Sequence, residues 1–201
     1  MPDSYLVKAG LAQSSGEATK LLSHYQESFE AVLPSPSAHI NDVWERMNAD
    51  GPVSNNLRGS IFELLIGSVL IANGVTPFFT QAEVTFVNNA RFDILLWEDG
   101  WNPISLSIKT SLRERYKQAE LEAWALNSVH RKSENWLITL SEEEVSRRKR
   151  QLGAAKEYSY LRGLILASSP EFDEFVLYLK SKNFSIPSDI NPMANHKVVA
   201  S

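Results

Sequence analysis

Three observations predict an α/β sandwich built around a mixed sheet. The hydrophobic period changes from 3.6 to 2 near residue 78 and returns to 3.6 after residue 110. Turn residues separate the extended segments, and from residue 104 onward strands alternate with helices. The length of 201 residues, with 43% apolar and 22% charged side chains, fits one globular domain able to bury its own core. No cysteine is present, which excludes disulfides, thiolate metal sites, iron–sulfur clusters and cysteine nucleophiles.

The elements follow in order. Ala18 to Leu33 carries Leu21, Leu22, Tyr25, Phe29, Val32 and Leu33 at helical spacing, and Pro34-Ser-Pro36 breaks it. Ile40 to Met47 makes a short second helix, and Asp50-Gly-Pro52 a turn. Asn56 to Asn73 is an apolar helix stopped by Asn73-Gly74. Phe78 to Val87 has the β-branched and aromatic content of a strand. A turn at Asn88-Asn89 leads to a second strand, Arg91 to Glu98, and Asp99-Gly100 with Trp101 to a third, Ile104 to Thr110. Ser111 to Ser128 returns to helical period, and Asn135 to Leu140 is a strand. Ser141 with Glu144 reads as a capping box opening the next helix. Leu161 to Ser168 is a fifth strand, Pro170 starts a last helix, and the chain after Pro187 is loose. There is no internal repeat.

The overall charge of −4 hides an asymmetry. Residues 107–162 hold 12 Lys and Arg against 8 Asp and Glu, a net of +4, and the remainder holds 8 against 16, a net of −8. A basic third on an acidic molecule points to a polyanion partner. The N-terminus lacks the basic-then-apolar pattern of a signal peptide, and the apolar run from Ile61 to Ala72 is interrupted by Glu63. A cytoplasmic location with no membrane partner is therefore expected.

Chemistry concentrates near the third strand. Alternation puts Ile104, Leu106 and Ile108 on one face and Ser105, Ser107 and Lys109 on the other. On the second strand Asp93 shares a face with Leu95 and Trp97, so Asp93 and Lys109 can meet at one end of the sheet. Glu63 is a carboxylate inside an apolar helix, flanked at helical spacing by Gly59, Ser60 and Gly67, and its burial requires a partner. After Lys109 come Arg113, Arg115, Lys117 and Gln118, with Arg115, Gln118 and Glu122 on one helical side. Arg147 and Arg148 belong to a basic run expected near the C-terminal end of its helix, where it would complement the dipole. The four histidines (His24, His39, His130, His196) have no metal-ligand spacing and read as surface or helix-end residues. The five tryptophans read as core or hairpin packing.

An acid on a helix, a strand Asp, then a strand ending in x-Lys before a second helix resembles the PD-(D/E)XK nuclease superfamily. The matching positions are Glu63, Asp93 and Ser107-Ile-Lys109, within an element order spanning residues 55–140. Phe92 stands where that pattern has Pro, and Ser107 stands where it has the second acid. Some type II restriction endonucleases carry Ser, Thr or Cys there and take the acid from the following helix. Lys109-Thr-Ser through Arg115-Tyr-Lys-Gln118 to Glu122-Ala123 is similar to that segment, which makes Glu122 the displaced acid and Glu120 the alternative.

The resemblance implies a restriction-endonuclease-like core over residues 51–190, a central mixed β-sheet flanked by helices. A helical N-terminal extension (1–50) and a loose C-terminal tail (191–201) would flank it. It implies a Mg²⁺-dependent endonuclease, with Mn²⁺ as a substitute, acting on double-stranded DNA as a homodimer. Asp93, Glu122 and Glu63 would be metal ligands, Lys109 the catalytic cation, and Arg113, Arg115, Lys117, Gln118, Arg147 and Arg148 the DNA contacts. A repair, recombination or nicking nuclease, or a catalytically silent DNA-binding module, is the alternative.

Overall fold

Six strands, β1 (Phe78–Ala82), β2 (Phe92–Glu98), β3 (Asn102–Lys109), β4 (Glu134–Thr139), β5 (Gly163–Leu166) and β6 (His196–Val198), form one sheet in the order β5-β4-β3-β2-β1-β6. It is described in a computed structural model covering residues 4–12, 16–88, 90–98, 102–113, 115–155, 159–187, 193 and 196–198. The β1–β2 and β2–β3 pairs are antiparallel, whereas β3–β4 and β4–β5 are parallel. The sheet is therefore mixed, as the alternation of short turns and helical crossovers requires. The helices among the described residues are α1 (Tyr5–Lys8), α2 (Glu17–Tyr25), α3 (Pro36–Ala49), α4 (Asn55–Ala72), α5 (Arg115–Val129), α6 (Glu142–Ala155) and α7 (Pro170–Lys180). No described helix is long and apolar enough to cross a membrane.

Period 2 decides what each face of the sheet meets. Ile94, Leu96, Ile104, Leu106, Ile108, Ile138 and Ile165 face the main core, which α2, α3, α4 and α7 complete through Leu22, Ile40, Leu65 and Phe172. Leu95 and Trp97 face the other way and join Leu126 of α5. Leu137 and Leu164 pack there with Tyr116 of α5 and Val145 of α6. The helices of residues 1–50 share the main core: Leu6, Leu22, Ile40, Val43 and Met47 are fully buried in it.

Several boundaries differ from the sequence reading for tertiary reasons. α2 ends at Tyr25 rather than Leu33, because Gln26 is extended and its amide side chain binds His39, 2.9 Å away, and the Ser68 hydroxyl. His39 is thus a buried residue, 2% exposed, and not a surface one. Pro36 opens α3 at its first turn, with Ser35 Oγ accepting from the Ala38 N–H, instead of separating the helices. α4 ends as expected: Gly74 takes φ +74° and Val75 N–H reaches back to the Leu70 carbonyl at 2.9 Å. β5 starts at Gly163, where a Cβ would collide with the Trp136 ring.

β1 stops at Ala82, five residues before the expected end. The segment after Pro187, read as loose, contributes β6, which pairs antiparallel with β1 through Phe78↔Val198 and Thr80↔His196. Trp124 is 52% exposed on α5 and not packed in a core. The Asp99-Gly100 turn signal, Trp101 and Asn89 lie outside the described residues.

Candidate active site

At the end of the β2–β3 ladder the strands part. Regular pairing runs from Glu98↔Asn102 to Ile94↔Leu106 and stops there. Beyond it the Asp93 side chain takes over the partner's role. Its Oδ2 accepts from the Ile108 N–H at 2.6 Å and from Lys109 Nζ at 2.5 Å. Both side chains of this ion pair are less than 10% exposed. A buried pair holds only when its remaining valences are satisfied, and here a backbone donor supplies one of them. Ser107, on the same face, is buried with no partner for its hydroxyl.

Two further carboxylates face this pair from different helices. Glu63, half-buried on α4, accepts at Oε2 from Gln81 Nε2 at 2.8 Å, and the same nitrogen lies 3.3 Å from Asp93 Oδ1. Burial, and then the negative charge of Asp93, push the Glu63 carboxyl up to about 7, against the pull of Lys109, the Gln81 amide and Arg115. Glu122 comes from α5 and is one of its buried residues, with Tyr116, Ala119, Ala123 and Leu126. Its Oε1 accepts from Gln118 Nε2, one turn earlier, at 2.8 Å. Burial lifts it above the usual carboxylate range; Gln118 and Lys109 draw it back, and Asp93 adds to the lift. Glu63 and Glu122 thus both feel the charges of Asp93 and Lys109, and Glu122 does not point to solvent.

Glu120, the alternative acid, is used otherwise. It accepts from Tyr116 Oη at 2.6 Å, Ser159 Oγ at 2.5 Å and the Tyr160 N–H at 3.1 Å, which fixes the segment leading into β5. Glu144 also departs from its expected place in a capping box. It takes the N–H groups of Leu112 and Arg113 at 2.7 and 3.1 Å, and so pins the turn after Lys109. Arg113 sits at φ +27°, and α5 consequently begins at Arg115 and not Ser111. Burial opposes ionisation of Glu144, but those two N–H groups, Ser141 and Arg147 outweigh it and hold the carboxyl below its usual range.

The expected DNA contacts fall into two groups. Arg113, Lys117, Arg147 and Arg148 line one cavity of roughly 520 Å³ between α5 and α6. The Arg148 guanidinium lies 4.0 Å from the centre of the Tyr116 ring there. Arg115 and Gln118 instead stand on the side of Glu63 and Glu122. The basic run lies mid-helix in α6, not at its C-terminal end, so it does not complement the dipole. Lys149 is taken up by Glu171 of α7 at 2.7 Å.

A second cavity, roughly 250 Å³, opens beside the carboxylates and is lined by Ser60, Glu63, Thr80, Gln81 and Asp93 among others. Ser60 thus meets this space, whereas Gly67 accommodates the Leu11 side chain. Thr80 and Gln81 did not stand out in the sequence. Their one signal is two consecutive polar residues inside Phe78-Phe-Thr-Gln-Ala82.

Among the described residues no three His, Asp or Glu side chains converge closely enough to hold a metal ion. The available donors are carboxylates, the Gln81 amide and the unpartnered hydroxyls of Thr80 and Ser107, all of them oxygen chemistry suited to a hard divalent cation.

No protein-family model matches the chain, and no curated protein sequence matches it. Among solved structures, the chain is similar to the restriction endonuclease PspGI in complex with substrate DNA, with 13% identity, 88% of this chain and 86% of that chain covered, and a TM-score of 0.40.

Proposed function

We propose that the protein is a metal-dependent endonuclease that hydrolyses DNA phosphodiester bonds, in the manner of a type II restriction enzyme. The observation that carries this reading is the buried Asp93–Lys109 pair at the parting of β2 and β3, faced by Glu63 from α4 and Glu122 from α5. A structural ion pair needs no further carboxylates, and placing two more half-buried or buried acids within the electrostatic reach of one ammonium costs stability, as expected where function sets the arrangement.

In this reading Asp93, Glu122 and Glu63 are the residues that would hold Mg²⁺, or Mn²⁺ in its place, drawn closer together than the structure has them. The bound ion would polarise the scissile phosphate and lower the pKa of a water. Lys109, oriented by its bond to Asp93, offers its charge to the developing negative charge of the phosphorane. Gln118 orients Glu122, and Glu144 fixes the turn that follows Lys109. Arg113, Lys117, Arg147 and Arg148 would take DNA phosphates on the α5–α6 side, and Arg115 nearer the acids. A symmetric site calls for a homodimer, and Leu121 and Trp124, exposed on α5, are available as apolar contacts. A cytoplasmic setting accords with the absence of cysteine.

The second reading, a silent DNA-binding module, draws on Ser107 in the place of an acid and on the lack of a ready three-acid cluster. Incubation of the full chain with mixed-sequence plasmid DNA, in Mg²⁺ or EDTA, separates the two. Discrete fragments in Mg²⁺ alone, lost in Asp93→Asn and in Lys109→Ala, are the expected outcome. DNA binding with no cleavage under any divalent cation would establish the silent module, and scattered nicks would point to a repair or nicking role.

A further inference from the structure

Gln81 occupies an unusual position in the sheet. The β1–β2 register runs Phe79↔Leu95, Thr80↔Ile94 and Ala82↔Phe92, so Gln81 falls opposite Asp93 but is skipped by the ladder. Its backbone is left-handed, at φ +49°. A non-glycine residue held there costs on the order of 1 kcal/mol, and such strain tends to gather at functional positions. Its effect here is to aim the side-chain amide at the acids: one nitrogen, Nε2, bridges Glu63 Oε2 and Asp93 Oδ1.

Thr80, the residue before it, is 9% exposed, and its Oγ1 has no partner. Thr80 pairs with Ile94 and therefore faces α4, where both residues border the 250 Å³ cavity together with Glu63, Gln81 and Asp93. A buried hydroxyl left without a partner costs about 1–3 kcal/mol, so a ligand that accepts its lone pair is favoured in that space.

We propose that Gln81 and Thr80 belong to the cation site itself, Gln81 standing in for the cation through its Nε2 and then turning its amide to present Oε1 to a hard divalent ion between Glu63 and Asp93. This rests on the nuclease reading of the same acids. The amide is suited to both states because its two ends differ. The NH₂ end donates to two carboxylates, and the carbonyl end, after a half-turn about the terminal torsion, is a neutral oxygen ligand of the kind Mg²⁺ and Mn²⁺ accept. Thr80 Oγ1 would supply a further neutral oxygen or hold a water of the ion's shell. A purely structural bridge would need only the donor end, and that difference gives the test.

The experiment is Mn²⁺ titration of the full chain, followed by electron paramagnetic resonance of the free ion, with and without a short mixed-sequence duplex. Wild type is compared with Gln81→Met, Gln81→Glu, Thr80→Val and Asp93→Asn, and urea unfolding of each metal-free variant is measured alongside. Gln81→Met, of similar length and without an oxygen, should weaken Mn²⁺ binding about tenfold, and Thr80→Val several-fold, the scale on which site-supporting residues act. Gln81→Glu should bind Mn²⁺ at least as tightly as wild type while its metal-free form is less stable, since a third carboxylate replaces the donor. Unchanged binding in Gln81→Met, or loss of binding in Gln81→Glu, would overturn the proposal. If wild type binds Mn²⁺ and Asp93→Asn does not, the nuclease site stands whatever Gln81 shows. If wild type binds none even with DNA, both readings fall.

Discussion

Replacing Lys109 by Met tests the charge arrangement at its centre. The side chain is 9% exposed and its ammonium lies 2.5 Å from Asp93, while its charge also draws down the carboxyls of Glu63 and Glu122. Removing it leaves three acids with no buried cation among them, and breaking a buried pair in this way costs about 3–5 kcal/mol. Asp93→Asn is the milder change. The Asn oxygen can still accept from the Ile108 N–H, and Lys109 keeps two carboxylates nearby. Loss of the pair is partly offset by relief of repulsion, so the expected cost is about 1 kcal/mol, within the ordinary range for a lost polar contact. The double variant should then fall short of the sum by about 2–3 kcal/mol, the coupling expected of neighbours that share one network. Urea unfolding followed by tryptophan fluorescence measures all four proteins, since Trp97 is buried and Trp136 packs against the core. If Asp93→Asn proves as costly as Lys109→Met, or if the two add within about 0.5 kcal/mol, the three-acid, one-cation account is wrong.

Other outcomes follow from the same geometry. Glu122→Gln should be as inactive in Mg²⁺-dependent cleavage as Asp93→Asn, whereas Glu120→Gln should cleave normally and lose about 1–3 kcal/mol in unfolding, because Ser159 and Tyr160 lose a charged acceptor. If Arg113, Arg115, Lys117, Arg147 and Arg148 each meet a phosphate, log affinity for duplex DNA against log salt should have a slope of about −4.5 per protomer, and Lys117→Ala should flatten it by about one unit per protomer. A salt-independent affinity would mean that the cavity faces solvent. The Glu63 carboxyl is raised to about 7, so the folded state holds its proton longer than the unfolded chain does. Stability should therefore fall as pH rises from about 4.5 to about 7, and Glu63→Gln should remove that part of the slope. Glu144 runs the other way. Its lowered value gives stability above the unfolded carboxylate range that is lost as acid titrates it, so Glu144→Gln should flatten the acid limb of the same measurement.

Much of this protein was legible in the order of its residues. The switch in hydrophobic period located α4, β2, β3, α5 and β4 within a few residues, because each buries one face against a continuous core and burial writes its period into the sequence. Alternation alone put Asp93 and Lys109 on one face of the sheet, and the spacing of Gln118 and Glu122 put both on one side of α5. What the sequence could not supply was anything decided by contacts between distant segments. β6 is three residues long and exists through its pairing with β1, 116 to 120 positions earlier, so no local pattern marks it. The N-terminal helices join the main core, and α2 stops where Gln26 meets His39 and Ser68. Glu144 has the spacing of a cap, but the turn after Lys109 offers two N–H donors that outcompete that role. Gln81 is the clearest case. Nothing near it in sequence calls for a left-handed backbone, and its amide meets Glu63 and Asp93, from another helix and another strand, only in the folded chain. Patterns of burial are local in sequence and can be read there, whereas the orientation of polar groups is set by partners that only the folded chain brings within reach.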